Sequence, residues 1–74
     1  MDHVALEAAL AYAEIQIAAC EQITASQKKI IADLELVGAD ATSDRLVLAQ
    51  LKRERRDRIE RRDILRLELN VDWT

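Results

Sequence analysis

The densest run of chemically capable side chains is Lys52-Arg53-Glu54-Arg55-Arg56-Asp57-Arg58-Ile59-Glu60-Arg61-Arg62-Asp63, in which only Ile59 is uncharged. Seven of these residues are basic, and binding a phosphate backbone requires clustered lysine and arginine. Arg55, Arg56, Arg58, Arg61 and Arg62 are the residues that could make such a polyanion contact. Four acids, Glu54, Asp57, Glu60 and Asp63, recur every three residues among them. Opposite charges one turn apart, as in Asp57 and Arg61, share helix faces with like charges such as Arg58 and Arg62, so much of the basic field is cancelled. A solvated, salt-bridged face is the favoured reading, and a small nucleic-acid-binding protein is the alternative.

The other reactive side chains are sparse. His3 and Glu7 are one helical turn apart beside Asp2, but one imidazole with carboxylates falls short of a structural metal site. Cys20 is the single cysteine. It has no second thiol to pair with and no basic neighbour in sequence to lower its pKa, so it reads as a small buried apolar residue in a reducing compartment. No glycine-rich loop, Ser/His/Asp set or inward carboxylate pair is present. The expectation is no catalytic residue, no metal and no cofactor.

The elements that must position these groups are set by one short stretch, Val37-Gly38-Ala39-Asp40-Ala41-Thr42. It contains the chain's one glycine, and there is no proline anywhere in the 74 residues. Gly38 can adopt the left-handed conformation that ends helices, and either Asp40 or Thr42 can accept from the first amides of a new one. Asp44 then favours the positive end of that helix dipole. A short connection between two long helices makes them antiparallel neighbours. The fold class is therefore all-α, an antiparallel two-helix hairpin. It forms one domain with a helix over about 2–37, a turn at 38–42, a second helix over about 43–69 and a short tail at 70–74. The alternation of Leu65, Leu67, Leu69, Val71 and Trp73 with polar residues is also a strand signal, but no second strand exists to pair with it.

Hydropathy patterning suggests how the hairpin closes. Val4, Ala8, Tyr12, Ile15, Ala19, Ile23, Ile30, Leu34 and Val37 recur in threes and fours and predict the face that meets the second helix. Leu34 is then expected near Leu46, Ile30 near Leu51, Ile23 near Ile59 and Tyr12 near Leu67. Glu7, Glu14, Glu21, Lys28 and Glu35, spaced by sevens, mark the solvent side. Six acids and two lysines precede Gly38, whereas nine basic residues and seven acids follow from Asp44 onward, so acid lies against base in the hairpin.

Leu6, Leu10 and Ile17 fall off the main line, and an exposed cluster of large aliphatics marks a contact. Ala11, Ala18 and Ala25 form a row of small side chains that permits close helix approach. These residues, with Leu65, Leu69 and Trp73, are the expected oligomer or partner interface. A two-helix hairpin of this size buries a modest core, so a homodimer forming a four-helix bundle is expected. Leu65 to Trp73 could also dock the chain on a larger protein as an adaptor.

Glu14-Ile15-Gln16-Ile17-Ala18, Gln27, Ile31, Leu34-Glu35, Gly38-Ala39-Asp40 and Leu48 together resemble short uncharacterised bacterial helical-hairpin proteins. The resemblance covers about half the chain and implies a hairpin with no activity attached. The apolar stretch from Val4 to Cys20 carries Glu7, Glu14 and Gln16, too short and polar to span a bilayer. No basic region precedes it, and a soluble cytoplasmic protein is expected.

Overall fold

The computed structural model describes residues 2–73, with side chains for residues 2–71. Two helices, α1 (His3–Leu36) and α2 (Thr42–Trp73), pack along each other in an antiparallel hairpin with extents of 57 × 14 × 13 Å.

The hinge closes through backbone bonds that the sequence makes possible. Gly38 has φ 74°, the left-handed region that side chains disfavour. That conformation turns the next two amides back onto α1: Gly38 N–H donates to Glu35 O at 3.1 Å, and Ala39 N–H donates to Leu34 O at 2.8 Å. This 5→2 and 6→1 pair is a Schellman motif, and it satisfies carbonyls that a helix end would otherwise leave unpaired. Asp40 supplies the acceptor for α2. Its Oδ1 receives Thr42 N–H at 3.0 Å and the Thr42 hydroxyl at 2.6 Å. Ala41 is buried beneath the turn, and its carbonyl accepts the first amide bond of α2, from Arg45.

The seam between the helices follows a strict repeat. On α1 it runs Leu6, Leu10, Ala13, Ile17, Cys20, Thr24, Gln27, Ile31 and Leu34, each buried or half-buried, in alternating steps of four and three. Such a repeat keeps one stripe facing one partner, as in coiled coils. Cross-helix contacts fix the register. The Cys20 thiol donates to Leu51 O at 3.7 Å, and Gln27 Nε2 donates to Asp44 Oδ1 at 3.0 Å and to Asp44 O at 3.2 Å. Those two contacts lie one heptad apart on each helix. Two heptads beyond Cys20 and Leu51, Leu6 and Leu65 form the apolar cluster at the open end with Ala13, against which Ala9, Leu10 and Leu69 pack.

The seam is not the face that the hydropathy line predicts. Tyr12, Ile15, Ile23 and Ile30 are exposed, as are Leu46 and Leu67, so the expected pairs Leu34–Leu46, Ile30–Leu51, Ile23–Ile59 and Tyr12–Leu67 do not form the core. The buried line passes instead through Thr24 and Gln27, two polar residues that a search for apolar spacing skips. Both are satisfied: the Thr24 hydroxyl donates to Cys20 O at 2.8 Å, and Gln27 bonds to Asp44. Cys20 is a buried free thiol, as expected of a small apolar residue.

The C-terminal segment is helical, and α2 continues to Trp73 instead of giving way to a tail at 70–74. Leu65 and Leu69 are one turn apart, and helix brings both onto the seam, whereas a strand would find no partner among the described residues.

Candidate interaction surfaces

Successive helical residues are rotated by about 100°, so each edge of the hairpin can be read from its spacing. The two edges that flank the seam differ in chemistry. One carries the charges spaced by sevens on α1. All five are exposed, as expected of a solvent side, and three of them also reach across to α2: Glu14 accepts from Arg66 at 3.0 Å, Glu21 from Arg55 at 3.0 Å, and Glu35 from Arg45. The acidic and basic helices thus meet along this edge. Each pair is exposed and contributes only a fraction of a kcal/mol, but together they favour one helix order and register. Glu35 beside Arg45, bonded to it and opposite in charge, raises the guanidinium pKa above its ordinary value. Asp40 is shifted the other way: the Thr42 hydroxyl and amide bond its carboxylate and hold its pKa below the usual range.

The same edge contains a groove of about 660 Å³ between the helices, lined by Glu21, Thr24, Ala25, Lys28, Lys52, Arg55 and Arg56. The opposite edge has a smaller groove of about 80 Å³, lined by Gln16, Ala19, Cys20, Ile23, Leu51, Glu54 and Arg58. Folding therefore sorts the charges that alternate in sequence. Arg55 and Arg56 enter the first groove and Arg58 the second, while Arg61 lines a third hollow with Asp57 and Glu60. Arg62 pairs with its neighbour Asp63 at 3.1 Å. The five arginines named from sequence do not converge on one face. Lys52, which begins the linear run, does converge with Arg55 and Arg56, and Lys28 joins them from the other helix, where a reading of the run alone does not look.

The interface residues expected from sequence also separate. Leu6, Ile17 and Leu65 are 2%, 6% and 7% exposed, and Leu10 and Leu69 pack on the cluster formed by Leu6 and Leu65. Leu6, Ile17 and Leu65 are buried in the single hairpin and Leu10 and Leu69 are half-buried against it, so the five line its seam and do not form a separate outer face. Their wide spacing around α1 reflects the choice of a different seam. Ala11, Ala18 and Ala25 are exposed. The side chain of Trp73 lies outside the described residues.

What α1 leaves uncovered is a second stripe. Val4, Tyr12, Ile15, Ile23, Ile30 and Val37 are all exposed, Ile15 at 66% and Tyr12 at 62%, with exposed Ala8 and Ala19 between them. Their shared spacing gathers them on one side of the helix, turned away from the seam toward the smaller groove. The four glutamates of α1 lie on the other edge. Contiguous apolar surface of this extent is uncommon on a chain that remains alone in water.

His3 Nε2 and Glu7 Oε1 are 2.9 Å apart and bond to each other, and among the described residues no group of three His, Cys, Asp or Glu side chains could hold a metal ion. No helix among the described residues is long and apolar enough to cross a membrane. No family model matches the chain, and neither curated proteins nor solved structures give a significant match.

Proposed function

We propose that the chain is a non-enzymatic structural module that pairs with a second copy of itself, α1 against α1, to make a four-helix bundle. The carrying observation is the symmetry of the exposed stripe. Its exposed members Ala8, Tyr12, Ile15, Ala19, Ile23, Ser26 and Ile30 are separated by steps of 4, 3, 4 and then 4, 3, 4. The series reads the same in both directions about Ala19. A two-fold interface needs a surface complementary to its own rotated copy, and antiparallel helices centred on Ala19 satisfy that condition. Ile15 of one copy then lies opposite Ile23 of the other, Ala8 opposite Ile30, and Tyr12 opposite Ser26. The central methyl of Ala19 lets the two backbones approach closely.

Charge favours the same arrangement. Glu14, Glu21 and Glu35 remain on the far edge with their arginine partners, so no acid of one copy is pressed against an acid of the other at the centre. From Val4 to Ile30 the exposed stripe is about 40 Å long, and a helix contact about 10 Å wide buries about 800 Å² over both copies, below the roughly 1,000 Å² of a tight interface and in the range of a weak, concentration-dependent dimer.

Sedimentation equilibrium at tens of micromolar tests the proposal. The expected mass is twice the 8.4 kDa of one chain, falling to one chain in Ile23→Asp with helical content retained. A wild-type mass of one chain overturns it.

A further inference from the structure

We propose that the groove on the ionic edge binds a small oligophosphate, an anion carrying several linked phosphate groups. This site is separate from the self-association surface. It lies on the opposite edge of the hairpin from the stripe centred on Ala19.

Four cations border the groove, Lys28 from α1 and Lys52, Arg55 and Arg56 from α2, while Glu21 is the one acid. Glu21 is already engaged, accepting from Arg55 Nη2 at 3.0 Å and Nε at 3.3 Å. The side chains of Lys28, Lys52 and Arg56 have no hydrogen-bond or ion-pair partner among the described residues. The acids next to these bases in sequence point elsewhere: Glu54 lines the opposite groove, and Asp57 lines a hollow further along α2. The interleaving that cancels charge along the chain is therefore undone in three dimensions.

Thr24 and Ala25 also line the groove, and both are short, which leaves space between the longer side chains around them. The Thr24 hydroxyl is spent on Cys20 O, which leaves the rim cations as the donors. A volume of about 660 Å³ is within the range of about 300–1,000 Å³ that holds small ligands. Like charges gathered this way repel one another in the empty protein, and an anion with several negative groups relieves that repulsion. Arginine forks and lysine ammoniums are the usual donors to phosphate oxygens.

Calorimetric titration of the full chain with inorganic tripolyphosphate tests the assignment, with single-stranded oligothymidylate as a second arm. Tripolyphosphate is expected to bind, more weakly as salt rises. The double substitution Lys52→Gln and Arg56→Gln is expected to weaken it at least tenfold. Arg53→Gln with Arg61→Gln, outside the groove, is expected to change it less than twofold. Removing repelling charge should leave the melting temperature of the Lys52→Gln/Arg56→Gln chain unchanged or higher, whereas residues with a merely structural role would lower it. Absence of tripolyphosphate binding at low salt overturns the proposal. So does equal weakening by the two double substitutions, or binding of oligothymidylate alone.

Discussion

Gly38 shows how much one residue decides. Its φ of 74° is what lets two amides return to α1, and a Cβ built there meets no atom within 4 Å. Backbone strain alone should therefore set the cost of replacing it. Gly38→Ala is expected to lose about 1 kcal/mol, a fall in Tm of about 4–8 °C, while Gly38→Asn should lose less because asparagine tolerates the left-handed region. Equal melting of Gly38→Ala and wild type in thermal circular dichroism would refute the hinge assignment. Asp40 acts two residues later. Its carboxylate pKa is held below its ordinary value by Thr42, so its contribution is present above pH 3.8 and is lost as the pH falls below that value. Asp40→Ala is expected to melt below wild type at neutral pH and to converge with it toward pH 2. A gap that stays constant or widens in acid contradicts that role.

The first helix has two candidate faces, and the sequence alone ranks them poorly. The hinge, the all-helical class and the acid-against-base pairing of the arms are legible because Gly38, Asp40 and the uneven charges are local signals. The seam is not, because α1 carries two parallel lines of spaced apolar residues. The line with larger aliphatics, through Ile15, Ile23 and Ile30, is the exposed one. The buried line contains Thr24, which bonds back to Cys20 O in its own helix, and Cys20 and Gln27, whose partners, the Leu51 carbonyl and Asp44, only the folded hairpin supplies. The groove was hidden for a similar reason: its cations come from both helices, and only folding brings Lys28 to Lys52. Two isoleucines two positions apart distinguish the faces. Ile17→Asp puts a charge in the seam and is expected to cost about 3 kcal/mol or more, unfolding the hairpin instead of merely splitting an oligomer. Ile15→Asp should keep the helical signal and change only the mass. If both variants unfold, or neither does, the seam has been placed wrongly.

For the whole molecule, a single hairpin 57 Å long and 14 Å thick has a narrow core, in which, among the described residues, no side chain but Leu6 is as little as 2% exposed. A second copy laid on the stripe centred on Ala19 would thicken that core without disturbing the ionic edge. It would also make stability depend on protein concentration, so the Tm should rise as the chain is concentrated from about 1 to about 100 μM. The most direct measurement is oxidative cross-linking at the proposed two-fold axis. With Cys20→Ala as background, Ala19→Cys is expected to form a covalent dimer readily, whereas Ala18→Cys, rotated by about 100° on the same turn, is not. Efficient cross-linking at position 18, or none at position 19, would contradict the pairing of α1 with α1.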